Sequence, residues 1–244
     1  MSGLPAWPRV DFSEFGEIEV KPLGKIQQLT GAFLGRNWVA IPHVTHHDAA
    51  DITDLEVSRK TWNDQNSDGK LTTLILLIKA VVNALKNFPQ FNASLDADGR
   101  NLVYKKYFHI GIAVDTPRGL MVPVLRDCDK KSVGEIAKEL AALSLKARNK
   151  GLSMPEMSGG CFTISSIGAF GGTGFTPIIN APEVGILGVT RAQTQACQGA
   201  NGEIIWRNIL PLSLSYDHRV INGADAARFV TFIAKQLADP SLFL

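Results

Sequence analysis

A single histidine, His218, lies between a strand-like apolar run, Ile209–Leu214, and a helical pattern that starts at Ala224. An Asn-Gly pair follows it, with Asn222 four residues after the histidine. An imidazole titrates at about pH 6.5, so it exchanges protons close to neutral pH. This position predicts general acid–base chemistry, with a purely structural histidine as the alternative.

Two adjacent serines, Ser165 and Ser166, end a second strand-like run that begins at Cys161. Their hydroxyls are suited either to turn hydrogen bonding or to donation toward an oxyanion. Neighbouring side chains on a strand point to opposite faces, so only one of the two can face a site. The residues alone do not choose between them.

Other candidate sites are weaker. His43, His46 and His47 alternate along a predicted strand, so neither His46 and His47 nor His43 and His46 share a face, and we predict no metal site. The glycine-rich stretch 168–174 lacks a Walker lysine and a following helix, which favours a tight strand-to-strand turn over a phosphate loop. Cys161 sits in a β-rich run, which predicts an inert buried thiol.

The composition describes an ordinary globular protein: 244 residues, 45% apolar, 20% charged, and a net charge of +2. The basic residues are scattered, which argues against nucleic-acid binding. Three widely spaced cysteines without a CxxC pair predict neither a zinc site nor a disulfide framework. Residues 1–8 lack the pattern of a signal peptide and are predicted to be an arm or linker remnant, so we expect the cytoplasm, with the mitochondrial matrix as the alternative.

Apolar residues at helical spacing predict five helices. One of them, 71–88, is apolar enough to resemble a membrane span. Lys79, Asn83 and Lys86 interrupt it, and its uncharged run is too short for a bilayer, so a buried helix is predicted. Another starts at the capping box Ser132-Val133-Gly134-Glu135. The predicted helices cover residues 25–37, 52–66 with Asp51 as N-cap, 71–88, 133–150 and 224–237.

β-rich runs alternate irregularly with these helices, which predicts an α/β fold with a mixed sheet flanked by helices. Two of the runs, 108–115 and 119–125, are joined by turn residues and predict a hairpin. The remaining predicted strands cover residues 10–20, 38–46, 161–166, 184–189 and 210–214.

The stretch Asp217-His218-Arg219-Val220-Ile221-Asn222-Gly223 closely resembles the D-H-R-x-x-D-G motif of the dihydrolipoyl acyltransferases, the core enzymes of 2-oxo acid dehydrogenase complexes. Further stretches resemble that family in the same order along the chain. They include Arg36-Asn37-Trp38, Ile41-Pro42-His43-Val44-Thr45, Phe91-Asn92-Ala93-Ser94, Ile110-Gly111-Ile112-Ala113-Val114-Asp115-Thr116 and Ala181-Pro182-Glu183.

The resemblance implies a fold like that of chloramphenicol acetyltransferase over residues 9–244, and acyl transfer between dihydrolipoamide and coenzyme A without a metal. It implies that His218 is the general base and that Ser165 or Ser166 stabilises the oxyanion. The family usually has aspartate where this chain has Asn222, whose amide can hydrogen-bond but carries no charge. A full Ser-His-Asp relay is therefore not expected.

The resemblance further implies a homotrimer with its active site at the subunit boundary. Such trimers assemble into a larger hollow core that works with the other subunits of the dehydrogenase complex. By the same resemblance, the apolar tail Leu242-Phe243-Leu244 is expected to mediate contacts between trimers, with docking on the last helix of its own chain as the alternative. The chain resembles the catalytic part of a longer polypeptide, with the lipoyl group on a separate domain.

Three readings of the function remain open at this level. The stretch from Asn222 to Phe229 most resembles the acetyl-transferring branch of the family, with the succinyl and branched-chain branches as alternatives. A non-catalytic scaffold has no reason to carry the histidine turn. An antibiotic acetyltransferase of the related fold is disfavoured by Arg36-Asn37-Trp38 and Ile41-Pro42-His43.

Overall fold

A computed structural model describes residues 6–66 and 69–244. Most of the predicted arm, residues 1–5, lies outside that range. Residues 6–8 are exposed and have no regular secondary structure.

In the described part of the chain, seven strands form one mixed sheet in the order β1-β9-β7-β6-β4-β5, with β8 paired to β9. β6 lies parallel to both β4 and β7, whereas β9 runs antiparallel to β1, β7 and β8. A separate antiparallel pair is formed by β2 and β3. The strands are β1 His43–Asp51, β2 Ala93–Leu95, β3 Leu102–Tyr104, β4 Ile110–Ala113, β5 Val124–Leu125, β6 Phe162–Ser166, β7 Gly185–Val189, β8 Gln193–Gln198 and β9 Ile204–Asp217.

The helices of the described residues are α1 Lys25–Ala40, α2 Thr53–Gln65, α3 Thr73–Asn87, α4 Val133–Asn149 and α5 Gly223–Leu237. Apolar residues recur every three or four positions on α5, so one face is buried on the sheet. Phe229 on this face stacks on Phe91 at a centroid distance of 4.0 Å. α3 is buried on most sides, as its sequence predicts. The mixed sheet flanked by helices confirms the predicted fold class.

Helix α1 differs from the other helices because only Asn37 is buried along it. The amide of Asn37 donates to the backbone oxygen of Ile179 at 2.9 Å and ties the helix to the rest of the chain. Large apolar residues on α1 and on the segment before it remain exposed. They are Val10, Phe12, Phe15, Ile18, Val20, Leu23, Leu29, Phe33, Trp38 and Val39.

Several sequence-based predictions are wrong in detail. Residues 10–20 form no strand; the segment contains only a short 3₁₀ turn, Phe12–Phe15. The β-rich stretch from Trp38 does not start a strand, because helical hydrogen bonding continues to the Ile41 N–H and β1 begins after Pro42. Asp51 belongs to β1, and Ile52 is the N-cap of α2.

Three strands were not predicted. β8 is polar and shows no alternation, and β2 and β3 are three residues each. The glycine-rich stretch 168–174 is also not a tight turn between adjacent strands. It begins a long irregular connection, residues 167–184, between the parallel strands β6 and β7.

No helix among the described residues is long and apolar enough to cross a membrane.

Candidate active site

His218 is exposed at the end of β9, in the turn before α5. Its backbone N–H donates to the oxygen of Pro42 at 3.1 Å, which ties the turn to the start of β1. Its ring lies beside that of Tyr216, with centroids 5.7 Å apart. Within residues 6–66 and 69–244 we find no hydrogen bond to the imidazole. Because His218 is exposed, a group from outside this chain can reach the ring.

Asn222 is the N-cap of α5, and its side-chain oxygen accepts from the N–H of Asp225 at 3.2 Å. Capping satisfies one of the free N–H groups of the first helical turn. The amide of Asn222 thus fixes the start of the helix that follows the histidine.

A buried carboxyl lies close behind the turn. Glu183 lies two residues before β7. The backbone oxygen of the next residue, Val184, accepts from the Asp217 N–H at 2.9 Å. Glu183 is 4% exposed, and burial raises the pKa of its carboxyl to about 7. This group favours its neutral form more than an ordinary glutamate does.

Ser166 ends β6 on the same face as Phe162 and Ile164, which belong to the core, and it is exposed. It lines two cavities, of about 510 Å³ and about 320 Å³. Leu74 and Ala169 line both cavities as well. Two spaces therefore meet at this hydroxyl.

Ser165 points to the opposite face of β6. It pairs in register with Gly188, whose Cα is covered by Phe175: a Cβ added there would lie 2.7 Å from the phenyl ring. Neither of the two cavities at Ser166 is lined by Ser165. The two predicted alternatives are thus on different sides of the sheet.

The backbone after Ser166 is held by an arginine that sequence reasoning missed. Arg191 donates through Nε to the oxygen of Gly168 at 3.1 Å and through Nη2 to that of Ala169 at 2.8 Å. In the sequence it is an isolated arginine between two strands, and no spacing pattern identifies it.

His218 and Ser166 lie at opposite ends of the sheet. Ser166 pairs in register with Val189, and Val189 pairs with Leu212 of β9. His218 follows Leu212 by six residues, toward the opposite end of these strands. At about 3.3 Å per residue, the two backbone positions are about 20 Å apart along the strand direction within one chain. A single copy of the chain does not bring the two groups together, which is compatible with the expected site at a subunit boundary.

The weaker candidates are engaged elsewhere. Cys161 is buried, as predicted, and burial raises the pKa of its thiol. Nε2 of His43 accepts from the Ile179 N–H at 3.0 Å, and Nδ1 of the same ring hydrogen-bonds to the backbone oxygen of Ile41 at 2.8 Å. Nδ1 of His47 hydrogen-bonds to the Ser213 hydroxyl at 2.9 Å. In the described residues, no cluster of three His, Cys, Asp or Glu side chains is arranged to hold a metal ion.

A family model, 2-oxoacid dehydrogenases acyltransferase (catalytic domain), matches residues 15–244. The chain belongs to this family. The structure therefore has an acyltransferase-family fold, with His218 in the turn directly after β9 and Ser166 at the end of β6.

Two bacterial relatives are each named dihydrolipoyllysine-residue acetyltransferase component of pyruvate dehydrogenase complex. The protein of Cupriavidus necator is 55% identical over 97% of this chain and 43% of its own length. That of Haemophilus influenzae is 52% identical over 97% of this chain and 42% of its own length. The chain thus spans less than half the length of these relatives.

Solved structures show the same fold. Dihydrolipoamide acetyltransferase of Azotobacter vinelandii is 50% identical, with a TM-score of 0.95 over 98% of this chain and 99% of that one. The cubic core of the pyruvate dehydrogenase multienzyme complex matches equally well, with 50% identity and a TM-score of 0.95 over the same shares. A chloramphenicol acetyltransferase, at 14% identity, covers 84% of this chain and 94% of its own with a TM-score of 0.59, a likeness in fold alone.

Proposed function

We propose that this domain, residues 9–244, transfers an acetyl group between S-acetyldihydrolipoamide and coenzyme A. The relatives named as acetyltransferases of pyruvate dehydrogenase complexes support this assignment over the succinyl and branched-chain alternatives. The observation that carries the chemistry is the exposed imidazole of His218, on a turn hydrogen-bonded to Pro42, together with the exposed hydroxyl of Ser166 where two cavities meet.

The proposed reaction is a direct transfer between two thioesters. Neutral His218 takes the proton of the attacking thiol, because only a minority of a free thiol is ionised at neutral pH. The thiolate adds to the thioester carbonyl, and the Ser166 hydroxyl donates to the oxyanion. Collapse expels the second thiolate, which takes the proton from the imidazolium. General-base help is worth roughly 10²- to 10⁴-fold, and one oxyanion donor roughly 10²- to 10³-fold.

Ser166 is favoured over Ser165 for two reasons. It is the serine that lines the two cavities. In the Azotobacter vinelandii acetyltransferase, a serine, a histidine and an asparagine have a role in the catalytic mechanism. There the serine precedes the histidine by 52 positions and the asparagine follows it by four. Ser166, His218 and Asn222 repeat that spacing.

We assign each active site to two copies of the chain, with Ser166 from one and His218 from its neighbour. The separation of about 20 Å within one chain supports this assignment, because proton transfer and oxyanion stabilisation act at hydrogen-bond distance. The uncovered apolar side chains of α1 and of the segment before it supply a surface for a second copy. A homotrimer would bring Ser166 of one copy to His218 of the next and would cover this apolar surface.

The trimers are expected to assemble into a larger hollow core, as the likeness to the cubic core supports. In the tail, Leu242 and Leu244 are 49% and 42% exposed and are available for contacts between trimers. The lipoyl group would arrive on a separate domain, and the other subunits of the dehydrogenase complex would be the partners. Because the relatives are bacterial proteins, the cytoplasm is the expected location.

Acyl transfer to dihydrolipoamide from acetyl-, succinyl- and isobutyryl-CoA tests the proposal. We expect preference for acetyl-CoA and a rate loss of at least about 100-fold in His218→Ala. His47→Ala is the matched control, because His47 is also exposed but contacts Ser213 on another part of the sheet. Near-wild-type transfer by His218→Ala would contradict the mechanism.

A further inference from the structure

An ion pair between a buried carboxylate, Asp217, and a half-exposed guanidinium, Arg219, flanks the histidine, and the proposed chemistry does not use it. Asp217 is 2% exposed, whereas the side chain of Arg219 is 47% exposed. The guanidinium donates through Nη2 to Oδ2 at 2.6 Å and through Nε to Oδ1 at 3.0 Å. A two-pronged pair of this kind fixes both side chains in orientation as well as in distance.

The same carboxylate also shapes the backbone around His218. Oδ1 of Asp217 accepts from the Arg219 N–H at 3.0 Å, which closes an Asx turn with His218 as its central residue. The backbone oxygen of Asp217 accepts from the N–H groups of Val220 and Ile221 at 3.0 and 2.9 Å. With the bond from the His218 N–H to Pro42, the peptide units on both sides of the histidine are held.

The direction of the His218 side chain follows from these bonds. The Cα–Cβ bond of a residue is fixed once the peptide units on either side of it are fixed. The imidazole itself has only the ring contact with Tyr216 among the described residues, so its reach toward a neighbouring copy depends on this backbone. Misplacement of a catalytic group by about 1 Å can cost about 100-fold in rate.

We propose that Asp217 and Arg219 are a positioning pair that aims the imidazole of His218 at the neighbouring copy. This inference rests on the proposed function. Arg219 does not contact the reacting atoms; it holds the Asp217 carboxylate in the orientation that closes the turn.

A different role for Arg219 has a distinct signature. Arg219 and Arg36 line a cavity of about 530 Å³, together with Glu183 and Asp217. If Arg219 instead binds an anionic part of a substrate there, its replacement raises KM. A positioning role lowers kcat and leaves KM unchanged.

The test combines Arg219→Lys with His218→Ala. Lysine keeps the charge but cannot form the two-pronged pair. We expect Arg219→Lys to lower kcat about tenfold and to keep the KM for coenzyme A within about twofold of the parent value. In the His218→Ala background the same change should leave the residual rate within about twofold, because a residue that acts through His218 has nothing left to position.

Arg228→Lys is the matched control. Arg228 forms an exposed pair with Asp225 at 3.0 Å in the first turns of α5, close to the histidine but not around it. It should leave kcat unchanged. If Arg219→Lys does not assemble, Asp217→Asn is measured in the same two backgrounds with the same expected results, since its amide oxygen can still accept in an Asx turn but no longer forms the charged pair with Arg219 that holds it there.

Three results would overturn the inference: wild-type kcat in Arg219→Lys, a raised KM at unchanged kcat, or an equal further loss in the His218→Ala background. Near-wild-type rates in His218→Ala itself would instead refute the proposed function. The two failures are therefore distinguishable.

Discussion

Two inactive variants should restore each other if each active site is shared between two copies. Ser166→Ala keeps the histidine turn, and His218→Ala keeps the serine. In a random, equal mixture, half of the chains contribute an intact Ser166 and half contribute an intact His218. About one quarter of the sites should then contain both groups, and the mixture should reach about one quarter of the wild-type rate. The physical basis is the separation of about 20 Å along the sheet.

The assay is acetyl transfer to dihydrolipoamide after the two variants are unfolded, mixed and refolded together. Each variant alone should keep no more than about 1% of the wild-type rate. The same variants refolded separately and mixed afterwards are the control, and they should not recover activity.

A second mixture makes the test quantitative. Wild type mixed with the double variant Ser166→Ala/His218→Ala should also keep about one quarter of the wild-type activity if two copies form each site. If one chain forms the whole site, the first mixture stays inactive and the second keeps about one half. That pair of results would refute the two-copy site.

Three further predictions concern the surroundings of the site. Asn222→Ala should lower the free energy of unfolding by about 1 kcal/mol through loss of the α5 cap, as measured by denaturant titration. Asn222→Asp should keep both this stability and the rate of acetyl transfer. Loss of transfer in Asn222→Asp would reveal a specific need for the amide. Because the folded-state pKa of Glu183 is raised from 4.5 to about 7, the folded protein holds an extra proton between these values, and its stability should fall as pH rises through them, by on the order of 3 kcal/mol. Thermal midpoints from pH 4 to 8 should show this slope in wild type and not in Glu183→Gln; equal slopes would argue against it. Removal of residues 242–244 should reduce the assembly to the mass of a trimer by light scattering, and an unchanged mass would rule out a role of the tail between trimers.

Helices whose apolar residues recur at regular helical spacing, or that start with a capping motif, were predictable from the sequence. α5 buries Phe229, Val230, Ile233 and Leu237, the face that helical spacing predicts. The buried helix α3 and the capping box of α4 were equally clear. In these segments the local pattern and the final packing agree, so the chain needs no distant partner to indicate its structure.

The errors arose where a distant contact decides the structure. Residues of β8 have no strand pattern of their own and become a strand by pairing with β9. Trp38 and Val39 have side chains that favour strands, yet α1 continues through them to Ala40. The strand propensity of these two residues was overridden, and the helical hydrogen bonding stops before Pro42, which cannot donate a backbone hydrogen bond.

The sequence by itself determined the family and the groups that carry the proposed chemistry, because the D-H-R motif, the serine pair and Asn222 are read from residue type and spacing. The tertiary structure placed Ser166 and Ser165 on different faces of β6, with only Ser166 beside the two cavities. The register of β6, β7 and β9 also placed Ser166 and His218 at opposite ends of one sheet. Strand order and register depend on pairing between residues far apart in the chain, and local sequence does not encode that distance.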